Sequence, residues 1–416
     1  MDGRADIVIV GGGFAGAAMA TTLSRAGVHV ILLERQSAYR DRVRGELLVP
    51  WGVEESRKLG LLDALLDAGG HWLTTRIPYD ETLTLEEAEA TALPLDRLLP
   101  GIPGALSFFQ PAACLALSRA AEAAGTALRM GVQEAVVTAG AQPEVAYRAN
   151  GMSAVVRCGL VIGADGRTSS VRGQAGIALE RQAGEHLISG LLVDDASPFR
   201  NDVFLLGTEG DVSFFVCPQG SGRARLYLCH ALHPHDRFAG AGGPAAFLRA
   251  YRLRSVPQSD SLAGATVAGP CATLEGDDTW TAEPFVEGVA LIGDAAGYNN
   301  PLIGQGLSLA LRDVRVLSEI LLGGSDWSPP ALRPYAVERA VRMRRVRVVA
   351  SAFAGLVAQY TPDTPGRRRA FRERIATDRT LAAPMMAMYA GPETAPPEAF
   401  SPGFIERFTG AGITRH

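Results

Sequence analysis

The spacing of apolar and polar positions divides the chain into three kinds of stretch. Residues 6–10 (DIVIV) form an apolar run of strand length. Gly11-Gly12-Gly13-Phe14-Ala15-Gly16 follows, then an Ala-rich helical stretch to Arg25 that Gly27 stops. Residues 28–33 (VHVILL) read as a second buried strand, closed by Glu34. The pattern predicts a strand–helix–strand unit of about thirty residues. A polar, Arg-rich loop over 35–45 leads to a helix near 53–68, with Leu59, Leu62 and Leu66 on one face and Gly69-Gly70 as its stop. Pro111 starts a helix running to Gly125. Strand-like residues 155–162 end in Gly163-Ala164-Asp165-Gly166. Between about 183 and 270 the runs shorten to HLISGLLV, VFLLG, VSFFVCP and ARLYLCHAL, separated by turns, which predicts an antiparallel sheet. Residues 286–294 return to a buried parallel-type strand, 304–322 form a long helix, and the chain from 331 is mainly helical. The expected class is α/β.

Composition narrows the function classes. With 47% hydrophobic and 20% charged residues, the 416-residue chain has the make-up of a globular protein and not of a disordered one. A net charge of -4 argues against nucleic acid as the main partner. No apolar run reaches the roughly 20 residues of a membrane span, 348–358 being the nearest candidate. Asp2 and Asp6 near the start do not fit a secretory signal, so a cytoplasmic location is expected. The five cysteines (114, 158, 217, 229, 271) are scattered and read as buried thiols. His233-Pro234-His235 lacks further ligands nearby, and no metal is expected. Of the 40 basic residues, 39 are Arg and one is Lys58, so chemistry that needs a catalytic amine has a single candidate position. The region from 331 holds 14 Arg against 7 acids, whereas the rest of the chain holds 26 basic against 37 acidic residues. That contrast leaves three readings open: a solvated helical layer packed on an acidic body, a docking face for a reductase or carrier partner, or a membrane-surface face.

Gly11-x-Gly13-x-x-Gly16 between strand and helix, with Glu34 ending the second strand, is the arrangement that binds a dinucleotide. Gly11 permits the tight turn, Gly13 admits a pyrophosphate close to the backbone, and Gly16 lets helix pack on strand. The helix N-terminus then faces the diphosphate, and Glu34 is placed to accept from ribose hydroxyls.

Two later segments add to this: Gly163-Ala164-Asp165-Gly166-Arg167-Thr168-Ser169-Ser170-Val171-Arg172, and Gly293-Asp294-Ala295-Ala296-Gly297 followed by Pro301 and Gly304-Gln305-Gly306-Leu307. With all three motifs in this order over roughly residues 6–325, the chain resembles the FAD-dependent aromatic hydroxylase superfamily. These are the p-hydroxybenzoate hydroxylase-like group A flavoprotein monooxygenases, related to flavin halogenases and geranylgeranyl reductases. The resemblance implies a Rossmann-like FAD-binding domain (1–72, 97–180 and 281–330). It would be interleaved with a mixed or antiparallel β-sheet substrate domain (73–96 and 181–280) and followed by a helical C-terminal region (331–416). It implies FAD contacts from Gly11, Gly13, Phe14, Ala15, Gly16, Glu34 and Arg35, with Arg42 and Arg44 reaching the diphosphate or flavin edge. Gln110 would lie near the phosphate or ribityl chain, Asp165 behind the pyrophosphate, and Asp294 on the ribityl chain. Pro301 and the Gly304–Leu307 turn would lie against the flavin ring. Tyr298, Asn299 and Asn300 stand near the expected flavin face, Asn300 and Pro301 being the candidates there, and no general acid or base is named.

The implied activity is monooxygenation. NAD(P)H reduces FAD, and a flavin C4a-hydroperoxide then hydroxylates or epoxidises a small aromatic or polyketide-like substrate. The apolar side chains Phe204, Leu206, Phe214, Phe215, Leu226 and Leu228 supply candidates for the substrate pocket, half of them expected in the core by strand alternation. Gly297 stands where the hydroxylases usually carry His, which keeps open a reductase or dehydrogenase of an isoprenoid-like substrate. A halogenase is a further alternative, but it needs a WxWxIP segment, absent here, and an active-site Lys, for which only Lys58 is available. A non-enzymatic FAD-holding protein is the last. No second GxGxxG is present, so NAD(P)H either binds transiently or a partner reductase supplies the electrons.

Overall fold

The structure is a computed structural model and describes residues 3–43, 45–149, 151–196 and 200–410. Its first sheet has the strand order Phe285–Val286, Val289–Leu291, Leu160–Gly163, Ile7–Val10, Val30–Leu33, Ala127–Arg129. All neighbours in it run parallel except the edge pair Phe285–Val286 and Val289–Leu291. The strand Ile7–Val10 is apolar throughout because both of its faces are covered. Ile7 and Ile9 pack among the helices Phe14–Arg25, Gln110–Ala123 and Gly306–Gly323. Val8 and Val10 face a three-stranded antiparallel sheet, Val132–Thr138, Glu144–Ala149 and Met152–Arg157.

That small sheet corrects one expectation. The run 155–162 is not one strand: Met152–Arg157 belongs to the antiparallel sheet and Leu160–Gly163 to the parallel one. Gly159 makes the corner, where an added Cβ would lie 2.8 Å from the Trp327 ring. The expected helix over 53–68 is also two helices, Pro50–Lys58 and Leu62–Asp67. Gly60 adopts φ +64° between them, and the Leu61 amide donates back to Ser56 O, which ends the first helix.

The second sheet has the order Thr266–Val267, His186–Asp194, Ala224–Ala231, Val212–Pro218, Val203–Glu209, Thr75–Asp80, Leu93–Pro94, with Ala272–Glu275 also paired to His186–Asp194. It is antiparallel except where Val203–Glu209 meets Thr75–Asp80 in parallel. Strand alternation sorts its side chains by face. Leu205, Phe214, Leu226 and Leu228 form a core with the helix Gly243–Ala250. Phe204, Leu206, Phe215 and Tyr227 point the other way, into a cavity.

The C-terminal helices Pro329–Val357, Thr364–Thr377, Ala383–Ala390 and Pro402–Thr409 bridge both sheets. Their arginines are not simply a solvated face. Arg339 and Arg342 are buried against Asp313, at 3.1 and 2.7 Å, and Arg368 is buried 2.7 Å from Asp80. Arg339 also donates to the carbonyls of Ala296 and Gly297. The basic excess of the tail and the acidic excess of the body therefore meet as specific pairs. Among the described residues, no helix is long and apolar enough to cross a membrane.

Candidate functional site: one cavity between two sheets

A cavity of about 760 Å³ runs from the glycine turn at the C-terminal end of Ile7–Val10 to the second sheet and the C-terminal helices. At the first end the chain is shaped by its glycines. Gly11 has φ +103°, and a Cβ there would sit 2.5 Å from Ala164 O. A Cβ on Gly16 would lie 1.8 Å from Gly11 O, so this residue packs helix on strand and does not line the cavity. Gly13 differs: a Cβ there meets nothing within 4 Å, because the space beside it is the cavity. The helix Phe14–Arg25 begins with no side-chain cap, which leaves its first amides free to bind an anion. Those are the features a dinucleotide diphosphate requires, and the residues fit FAD at this end. Glu34 lines the cavity while both of its oxygens hold backbone, accepting from Gly12 N and Gln36 N at 2.7 Å each. Its second lone pairs remain available to a ribose. The Tyr39 hydroxyl, which the sequence reading did not single out, donates to Gly12 O at 2.7 Å and braces the turn. Arg35 and Arg42 line the opening as exposed side chains, and Arg44 lies outside the described residues.

Deeper in, two motif loops are tied to each other. Asp165 accepts from Ser169 Oγ, Ser170 N and Val171 N, so its carboxylate fixes the start of the short helix Ser170–Gln174. Arg172 donates to Ala295 O and Arg167 O, which joins this loop to the Gly293–Ala296 turn. Asp294 faces the cavity 3.5 Å from Arg167, whose guanidinium lies over the Tyr298 ring at 4.2 Å. Gly297 has φ +109°, and a Cβ there would stand 2.6 Å from Thr279 O. No histidine fits that position in this backbone.

Pro301, Gly304, Gln305, Gly306 and Leu307 line the middle of the cavity, together with Phe14, Ala15 and Gln110. The Gln305 side chain does not point to a ligand. Its Oε1 accepts from Trp51 Nε1 at 2.9 Å, and its Nε2 donates to Ile303 O and Met388 O. Gln110 Nε2 contacts Cys114 Sγ at 3.1 Å. The helix Gly306–Gly323 has no side-chain cap, so its N-terminal amides also open on the cavity. Asn300 corrects an expectation: it is buried, does not line the cavity, and holds its own loop through Gly276 O and Leu302 N. Its neighbour Asn299 lines the cavity instead.

The far end is built from side chains that are distant in sequence. Phe204, Leu206, Phe215 and Cys217 come from the second sheet, and Phe353, Met385, Met388, Tyr389 and Phe408 come from the C-terminal helices. Phe214, Leu226 and Leu228, also candidates from the sequence, lie in the core on the opposite face. Set into this apolar wall is a charged group. Arg225 is fully buried, 2.7 Å from Asp41 and 3.2 Å from Glu46, and the Tyr227 hydroxyl donates to Glu46. Burial pushes the Glu46 carboxyl up and Arg225 pulls it back; burial also drives the Tyr227 phenol well above its ordinary value. Glu46 and Tyr227 both line the cavity. Sequence reading missed them because 181 positions separate the two and no local pattern joins them. Lys58 does not reach the cavity; it is 46% exposed and pairs with Glu54 at 3.5 Å.

Comparison with known proteins agrees with this geometry. Residues 4–347 match the family model described as FAD binding domain. The chain is 26% identical over 357 residues to 3-amino-4-hydroxybenzoate 2-monooxygenase PtmB3 of Streptomyces platensis, covering 82% of this chain and 86% of that protein. It is 28% identical to 6-methylpretetramide 4-monooxygenase of Streptomyces rimosus over 417 residues, covering 90% and 93%. In fold it resembles the crystal structure of p-nitrophenol 4-monooxygenase PnpA from Pseudomonas putida DLL-E4, with a TM-score of 0.78 at 20% identity over 94% of this chain and 99% of that one.

Proposed function

The chain belongs to the FAD binding domain family, and from that premise we propose that it is a monooxygenase that uses NAD(P)H and O2 to hydroxylate or epoxidise a small aromatic or polyketide-like molecule. The observation that carries the reading is the continuity of the cavity. A glycine-shaped anion cradle and an aromatic-lined chamber share one space, with an uncapped helix end between them. FAD supplies the redox chemistry and the activation of oxygen when bound. The protein's residues do the rest. The amides of Gly13, Phe14 and Ala15 would take the diphosphate, Asp294 would take the ribityl hydroxyls, and the helix end at Gly306 would stabilise negative charge on the ring edge. Phe204, Phe215, Phe353 and Tyr389 orient an aromatic ring and exclude water. A phenolic substrate hydroxyl passes its proton to Tyr227 Oη as the Tyr227 proton moves to Glu46, which Arg225 holds ready to receive it. The placement of Lys58 outside the cavity weighs against a halogenase.

The test mixes the purified yellow protein with NADPH or NADH in air, with and without candidate aromatics, and follows flavin bleaching and product. Substrate-stimulated bleaching with oxygenated product is expected. Bleaching only when a separate reductase is added would move the electron supply to a partner. A protein that binds FAD but consumes no O2 with any reductant and any candidate contradicts the reading.

A further inference from the structure

Six arginines are buried among the described residues: Arg76, Arg225, Arg312, Arg339, Arg342 and Arg368. Five have a carboxylate partner within 3.2 Å. Arg225 has Asp41 and Glu46, Arg312 has Glu55, Arg339 and Arg342 share Asp313, and Arg368 has Asp80. Arg76 is the exception. It is 8% exposed, and its buried Nε has no acceptor among the described residues. A guanidinium does not shed its proton, and leaving it dry without an anion is unfavourable.

The fold determines where this cation points. Arg76 lies on the strand Thr75–Asp80 opposite Phe204, so the two side chains share the cavity face of the sheet. Leu93 flanks it on the other neighbouring strand, and its guanidinium lies 5.9 Å from the centre of the Tyr389 ring. The closest acid along its own face of the strand, Asp80, is already held by Arg368. The diphosphate cradle belongs to the other sheet, at the other end of the cavity.

We propose that Arg76 anchors an anionic subsite that takes a carboxylate carried by the aromatic substrate. The planar fork of the guanidinium matches a carboxylate in a two-point contact, and the apolar wall strengthens that contact by excluding water. The ring bearing the carboxylate then lies along Phe204 and Tyr389. The inference rests on the monooxygenase reading for the identity of the ligand as substrate, but its test measures binding alone.

The FAD-loaded, oxidised protein is titrated at pH 7.5 with benzoate, 4-hydroxybenzoate and 2-naphthoate, each against its neutral carboxamide, and Kd is read from calorimetry and from perturbation of the flavin spectrum. At least one acid is expected to bind roughly 30-fold more tightly than its amide. R76Q is expected to reduce that preference to about threefold or less, and R76K to retain an intermediate preference because it keeps the charge but loses the fork. Equal affinity for acid and amide in all three pairs, no binding of any acid, or a full preference surviving in R76Q overturns the subsite. If R76Q does not fold, the acid–amide comparison in the unaltered protein and in R76K still decides. The two readings fail separately. An acid-selective protein that never consumes O2 keeps the subsite and loses the monooxygenase. A protein that oxygenates neutral aromatics without preferring acids does the reverse.

Discussion

The two ends of the cavity are made in different ways. The dinucleotide end is backbone: Gly11, Gly13 and Gly16 matter because they lack side chains, and most of its polar contacts are amides and carbonyls within about thirty residues. The chamber end is side chains brought together from residues 41 to 408, held by buried charge pairs and aromatic packing. A backbone site fails when an atom is added to it. A side-chain site fails when a partner is taken away. On the proposed function, the cradle would hold the cofactor largely through backbone, whereas the chamber would select the substrate.

The largest effect is expected at the chamber end. Arg225→Met removes the counter-charge of buried Glu46 and Asp41 and should cost about 3–5 kcal/mol, read by chemical denaturation. A loss below about 1 kcal/mol would mean that the pairs are not what holds this end. At the cradle two glycines that look alike in sequence should part company. Gly16→Ala drives a Cβ into Gly11 O and should destabilise even the FAD-free protein by about 3 kcal/mol. Gly13→Ala meets only cavity, so it should change the stability of the FAD-free protein by less than about 1 kcal/mol. Its FAD affinity should nevertheless fall on the order of 100-fold. Equal behaviour of the two would dissolve the distinction between packing and ligand approach.

A third probe is protonation. Burial pushes the His186 imidazole, at the start of the strand His186–Asp194, down to about 4. The unfolded chain takes up a proton at the ordinary value near 6.5 while the native state does not. The stability tied to this group is complete above pH 6.5 and is lost as pH falls through about 4. Between pH 6.5 and 5 the loss should be about 2 kcal/mol, and His186→Gln should flatten it in a Tm-versus-pH series. A slope that His186→Gln leaves unchanged would assign the loss elsewhere. The smallest effect is expected at Lys58. Lys58→Ala should shift stability by less than about 0.5 kcal/mol and leave product formation intact, since its pairing with Glu54 is exposed. Loss of product with FAD retained would return a halogenase-type lysine to consideration.

The same contrast explains what the sequence disclosed. Gly11, Gly16, Gly297 and Gly304 are conformational or steric requirements, and such requirements leave a local mark: positive φ or a Cβ with no room. The parallel strands were legible as continuous apolar runs because both of their faces are buried. The antiparallel sheet over 132–157 was not, because its outer face mixes charged residues such as Glu134, Arg148 and Arg157 with exposed Val136 and Val155, so no clean apolar–polar alternation marks its strands. Asn300 sits in a motif loop yet turns inward, since its amide satisfies the loop's own backbone. The chamber was least legible. Glu46 with Tyr227, or Arg76 with Tyr389, carries no spacing rule, and only the folded packing shows which of the buried arginines among the described residues have a carboxylate partner and which one does not.

The central claim is that the cradle and the chamber act on one oxygenation. It is tested most directly by supplying 18O-labelled O2 to the FAD-loaded protein, NAD(P)H and any aromatic that accelerates flavin bleaching, and weighing the product. The account predicts one 18O atom per product molecule, with one NAD(P)H consumed. Product formed without label, or formed equally well without O2, contradicts it.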